Sequence, residues 1–199
     1  MRLIAVLLCL SAMTPQGVAQ RRKTSKQPTP ELAALETYCK EVDSFIKRNN
    51  THTRIFANVA SGVERVPNKW QEFHTESERQ AADTGENLNE NAYVWIMNGN
   101  LVGANFTFQS PSRDWVQFVM YYFREDGTLA ATKETFNTFN GNMSVDRERV
   151  YDAKGKLLRS SVKYSDLQTG RARKPGKNSA NEEATVYRSV QSLPLYGLL

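Results

Sequence analysis

The chain has 199 residues, 26 Lys plus Arg against 21 Asp plus Glu, and is 40% hydrophobic and 10% aromatic, with two cysteines and two histidines. That length and apolar content describe one domain able to bury a core, and they exclude global disorder. So few cysteines and histidines exclude a thiolate-rich zinc site or a disulfide lattice, no cofactor-binding signature is present, and a formal charge of +5 is small for a dedicated nucleic-acid binder.

Residues 1–19 place Arg2 before an apolar run from Leu3 to Ala12, followed by a polar stretch with the small residues Gly17 and Ala19. This is the layout of a signal peptide cleaved after Ala19, and the run falls well short of the about 20 residues that span a bilayer. The expected protein is therefore secreted or periplasmic, with no stable membrane span after cleavage. Cys9 follows Leu7 and Leu8 inside the apolar run, which argues against lipidation. Cys39 then has no internal partner, and reads as a small buried residue.

Residues 20–29 form a basic linker without large apolar side chains, and residues 30–199 form a single domain. Thr29-Pro30 is an N-cap and first helical position. Leu32, Leu35, Cys39, Val42 and Ile46, with Tyr38 and Phe45, mark one face of an amphipathic helix ending near Asn49-Asn50. The period then changes to two. Arg54 to Ser61, Val63 to Val66 and Lys69 to Thr75 read as short strands broken by Pro67-Asn68. Residues 76–91 hold one large apolar residue, Leu88, and read as a solvated loop.

The strongest pattern follows. Trp95, Gly99, Leu101 and Phe108 recur as Phe123, Gly127, Leu129 and Phe136, and again as Tyr151, Gly155, Leu157 and Tyr164, each step being 28 residues. Glycine in a tight turn with aromatic residues on both flanks predicts three consecutive β-hairpins joined as a meander. Strand 114–123 is apolar on both faces, so it belongs at the centre of the sheet under two covers. The N-terminal helix is one. The second is expected from a curling sheet, the Arg54 to Thr75 segment, or a bound apolar ligand or partner. Strand 145–151 alternates Asp146 and Glu148 with Arg147 and Arg149, and reads as a solvated, edge-blunting face. Residues 165–183 form a long basic loop, and Ala184 to Leu193 a last strand with Val186 and Val190 on one face.

These elements predict an α+β, mainly β fold: an N-terminal amphipathic helix packed on a curved antiparallel meander of about seven to nine strands. In order and architecture, residues 92–165 resemble exported lipid- or lipoprotein-carrying half-barrels and the aromatic–glycine hairpin repeats of envelope-associated bacterial proteins. No diagnostic motif accompanies the resemblance, so it transfers no functional residue.

Catalytic signatures are missing: there is no Gly-x-Ser-x-Gly elbow, phosphate loop or dinucleotide fingerprint. His74, beside Trp70 and Phe73, is the one residue placed for acid–base work. The expected function is a non-enzymatic binding protein of the cell envelope or extracellular space. It would enclose or present an apolar surface for a lipid-like small molecule or an envelope protein, through Phe106, Phe108, Trp115, Phe118, Met120 and Tyr122. An alternative is an envelope interaction module that meets anionic surfaces through its basic arm and Arg171, Arg173, Lys174 and Lys177. A third is a small hydrolase or isomerase using His74. Nucleic acid is not an expected partner, since neither basic stretch interleaves aromatic side chains. No metal site is expected. The sequons at Asn49, Asn105 and Asn142 bear on function only in a eukaryotic secretory route.

Overall fold

A computed structural model describes residues 29–50, 53–60, 69–83, 88–175 and 183–199. The signal-peptide segment, the linker before Thr29, the Val63 to Val66 strand and Lys177 lie outside the described residues. Among the described residues ten α-helices and strands run in chain order, ahead of two short 3₁₀ turns: α1 (Pro30–Arg48), β1 (Arg54–Asn58), β2 (Trp70–Phe73), α2 (Glu76–Ala82), β3 (Glu90–Met97), β4 (Asn100–Gln109), β5 (Trp115–Phe123), β6 (Leu129–Thr138), β7 (Met143–Tyr151) and β8 (Leu157–Asp166). The eight strands form one open antiparallel sheet in the order β2-β1-β3-β4-β5-β6-β7-β8. From β3 onward it is a pure meander.

The 28-residue period reaches deeper than the turns. Pairing shifts once in each hairpin, leaving Val102, Ala130 and Leu158 as the extra residues, again 28 apart. Such a bulge turns two successive side chains to one side. Val102 and Ala130 thereby join the surface that meets α1, while Leu101 and Leu129 point to the opposite one. The turns themselves differ. Asn98 (φ 52°) and Gly99 (φ 81°) form a two-residue turn with positive φ at both positions. In the second and third hairpins only Gly127 (φ 78°) and Gly155 (φ 75°) are left-handed, so Asp126 and Lys154 do not share the conformation of Asn98.

Each face of the sheet has its own cover. On one, Cys39 and Val42 of α1 pack with Val102, Tyr122, Ala130, Ala131 and Val150. Gly103 permits this approach, since a Cβ there would lie 2.8 Å from Met120 Cε and 3.1 Å from Ile46 Cδ1. Tyr122 donates its hydroxyl to Asp43 (2.6 Å), which also accepts from Lys133 Nζ (2.8 Å). The pairing of β5 between β4 and β6 agrees with a central strand.

The second cover is none of those expected. It is the C-terminal segment, whose Val186, Tyr187, Val190, Leu193 and Leu195 pack on Phe106, Val119, Tyr121 and Phe123. Ala184 to Leu193 is therefore not a strand. It runs without ladder pairing as a strap, ending in 3₁₀ turns at Val190–Ser192 and Tyr196–Leu198. A few bonds fix it: Tyr121 Oη donates to Thr185 O (2.6 Å), Leu129 N to Arg188 O (2.9 Å), and Val190 N to Gly127 O (2.9 Å). Arg188 lies over the Tyr151 ring at 4.7 Å and donates to Gly155 O at 2.9 Å.

Two further expectations are corrected. Part of the 76–91 stretch is the helix α2, whose N-cap Thr75 accepts from Glu78 N (3.1 Å) while Glu78 accepts from His74 N (2.9 Å). Cap chemistry supplies the helix signal where an apolar stripe is missing. The charged strand 145–151 is not solvated on both faces either. Arg147 is buried, because its side chain turns inward to Glu134 on the face beneath the strap.

Candidate functional site

Pairing register shows what the strap face carries. One row crosses the sheet: Trp70 opposite Asn58, then Glu90 opposite Phe108, Gln117, Phe136, Val145 and Tyr164. Asn58 Nδ2 donates to Glu90 Oε2 at 2.9 Å, which carries the row from β1 to β3. Strands alternate faces with period two, so members of a row share one face. The neighbouring row, Phe56, Ala92, Phe106, Val119, Glu134 and Arg147, lies deeper under the strap.

Beside the start of the strap, near the link between β4 and β5, the described residues leave the outer row partly open. Trp70, Glu90, Phe108, Gln109, Trp115 and Gln117 line a groove of about 350 Å³, whose other wall is Glu183, Ala184, Thr185, Tyr187 and Pro194. Its aromatic residues are held by ring contacts behind them. Trp70 meets Phe106 edge-on at 5.6 Å, Phe108 stacks on Phe106 at 5.9 Å, and Trp115 leans on Phe136 at 5.7 Å. Tyr187 rests on Tyr121 (5.4 Å) and Phe106 (5.8 Å). Burial pushes the Tyr187 hydroxyl above its ordinary range, with the Glu90 charge adding to it, so it stays a neutral hydroxyl.

Beneath the groove lies a charged network. Glu134 Oε1 accepts from Gln117 Nε2 at 3.0 Å and from Arg147 Nη1, while Oε2 faces Arg149 Nη1 at 3.8 Å. Arg149 reaches Glu183 of the strap at 2.9 Å. The charges of this network are thus compensated within the chain, whereas Glu90 in the groove wall is met by the neutral Asn58 amide.

The six residues expected to line one ligand cavity are divided by the sheet. Phe108 and Trp115 line the groove, and Phe106 is buried behind it in the core. By register Phe118, Met120 and Tyr122 lie on the opposite face, toward the helices. Phe118 is 40% exposed there, and Tyr122 is buried beside α1. No single cavity can hold all six. Trp70, Glu90, Gln117 and Tyr187 were not marked by the sequence pattern, because only pairing register brings them together.

The other sequence candidates lie apart. His74 is exposed and lines none of the described cavities. Burial pushes the Cys39 thiol up to about 11, as an inert helical cysteine requires. Arg171 and Lys174 are exposed, whereas Arg173 donates to Gly141 O (3.0 Å) and Asn142 O (2.6 Å) and faces Asp166 at 3.8 Å. Among the described residues, no helix is long and apolar enough to cross a membrane, and no group of three potential metal ligands occurs. Comparison with protein-family models, curated proteins and solved structures gives no match to this chain.

Proposed function

We propose that the chain is an exported, non-enzymatic binding protein that presents the groove between β2–β5 and the strap to its ligand. The observation that carries this reading is the groove beside the start of the strap, where strand register brings Trp70, Glu90, Phe108, Trp115 and Gln117 to one face of the sheet. Elsewhere the apolar interior of the sheet is filled by the chain's own α1 and strap. The ligand surface is therefore presented at a rim and not enclosed in a deep cavity. In this reading α1 stays seated on the far face of a curved sheet and acts only as scaffold.

Support for a non-catalytic role comes from the placement of the reactive groups. Cys39 is buried with its thiol held protonated, His74 is exposed, and Glu134 is committed to Gln117 and Arg147. None of them forms a nucleophile–base pair at the groove. Export rests on the three-part layout of residues 1–19. N-terminal sequencing of the protein recovered from outside the cytoplasm is expected to begin at Gln20, and an intact Met1 would count against export.

The groove itself is tested by backbone chemical-shift mapping with a library of small fragments spanning apolar, neutral polar and charged types. Shifts should gather at Glu90, Phe108, Gln117 and Thr185. Shifts gathered instead on α1, or absent for every fragment, would overturn the assignment.

A further inference from the structure

We infer that the groove takes a neutral sugar unit, most naturally one residue or two of a longer glycan, an inference that rests on the groove being the binding surface. A pyranose ring has apolar C–H faces and a belt of hydroxyls at its edge. Its recognition calls for aromatic rings to cover the faces and for planar amides or carboxylates to meet the hydroxyls. The groove supplies both kinds of group: along the row come Trp70, the buried Asn58, Glu90, Phe108 and Gln117, with Trp115 at the rim. With strands about 4.8 Å apart, Trp70 to Gln117 spans about 19 Å, and the volume of about 350 Å³ sits at the lower end of small-ligand sites.

Two observations narrow the ligand class. The indole Nε1 of Trp70 is buried and has no hydrogen-bond partner among the described residues, although Trp70 lines the groove. A buried donor left unpaired costs roughly 1–3 kcal/mol. The nitrogen is closed to solvent in this conformation, so a ligand hydroxyl would satisfy it only with a shift of the indole toward the groove. Trp95 Nε1 is likewise unpaired, but Trp95 lies in the core and lines none of the described cavities.

Charge points the same way. Glu183 is matched by Arg149 at 2.9 Å, and the groove lining holds no Lys or Arg among the described residues, so an anion finds no positive charge there; Glu90, met at 2.9 Å by the neutral Asn58 amide, is left as an acceptor for a ligand hydroxyl. An acyl chain is disfavoured as well, because Glu90 and Gln117 interrupt the apolar floor and would lose water without gaining a partner.

The test is calorimetric titration of the full mature chain with cellotriose, maltotriose and triacetylchitotriose, alongside decanoate and a capped aromatic tripeptide. At least one trisaccharide is expected to bind. Trp115→Ala and Glu90→Gln should each weaken it about tenfold, the factor that one lost contact of about 1.4 kcal/mol produces. Trp70→Phe keeps a ring and removes the N–H, and should weaken it about three- to tenfold with the thermal midpoint unchanged. Phe118→Ser, on the opposite face, should leave affinity as it is. Binding of decanoate or the tripeptide at the groove with no trisaccharide bound would overturn the sugar assignment and leave the groove standing. Absence of any groove binding would overturn both, and trisaccharide affinity unaffected by the three groove variants would place the sugar elsewhere.

Discussion

Arg147→Met removes the guanidinium from a pair whose side chains are 3% (Arg147) and 1% (Glu134) exposed. Glu134 then keeps the Gln117 amide at 3.0 Å and Arg149 only at 3.8 Å. Breaking a buried pair from one side typically costs about 3–5 kcal/mol, because a charge is left desolvated and uncompensated. Arg149 lies close enough to offset part of this, which places the expected loss near the lower end, about 3 kcal/mol. For a domain of this size that corresponds to a fall in thermal midpoint of about 6–12 °C. The double variant Glu134→Leu/Arg147→Met removes both charges and should return to within about 1 kcal/mol of the parent. Urea denaturation of the parent, the two single variants and the double gives the coupling directly. A cost below about 1 kcal/mol for Arg147→Met, or a double variant no better than the single, would refute the claim that the strap buries this pair.

Three further outcomes follow from the structure. The Cys39 thiol, raised from 9.0 to about 11 by burial, should carry roughly a hundredfold less thiolate than an ordinary cysteine; alkylation at pH 8 should be slow in the native state and become fast in denaturant. Hydrogen bonds from Arg79, Tyr93 and Gln80 hold the Glu76 carboxyl at about 2 against 4.5. A group depressed on folding stabilises above its unfolded pKa and loses that contribution as pH falls from about 4.5 through about 2; Glu76→Gln should flatten the urea midpoint over that window, and an unchanged pH profile would contradict the contact. Gly155→Ala meets nothing closer than Arg188 Nη1 at 4.0 Å, so its cost should be conformational alone, about 1–2 kcal/mol by thermal melting, for a residue at φ 75°.

The meander was legible because hairpins demand left-handed residues at fixed places, and Gly99, Gly127 and Gly155 announce them at constant spacing. The bulges at Val102, Ala130 and Leu158 obey the same period without any residue type that marks them. Helix α2 escaped a reading based on apolar stripes, although Thr75 and Glu78 carried its cap in plain view. Val186 and Val190 read as sharing one face and both pack on the core, but a spacing of four fits a strand of period two as well as it fits the strap, so the pattern does not separate the two. The burial of Glu134 and Arg147 was hidden for a related reason: a charge on a strand reads as solvated until the segment covering it is known, and that cover begins more than thirty residues later. Of the groove, Phe108 and Trp115 were visible as aromatic residues near a hairpin. Trp70, Glu90, Gln117 and Tyr187 become a site only through strand register and the path of the C-terminus.

The most direct measurement of the central claim is the indole N–H spectrum of the three tryptophans during titration with groove ligands, beginning with the trisaccharides. Trp70 and Trp115 line the groove, and Trp95 lies in the core away from it, so each molecule carries its own control. Saturable movement of the Trp70 and Trp115 resonances with Trp95 stationary is the predicted result. Movement of Trp95 alone, or of all three together, would contradict the assignment of this groove as the binding site.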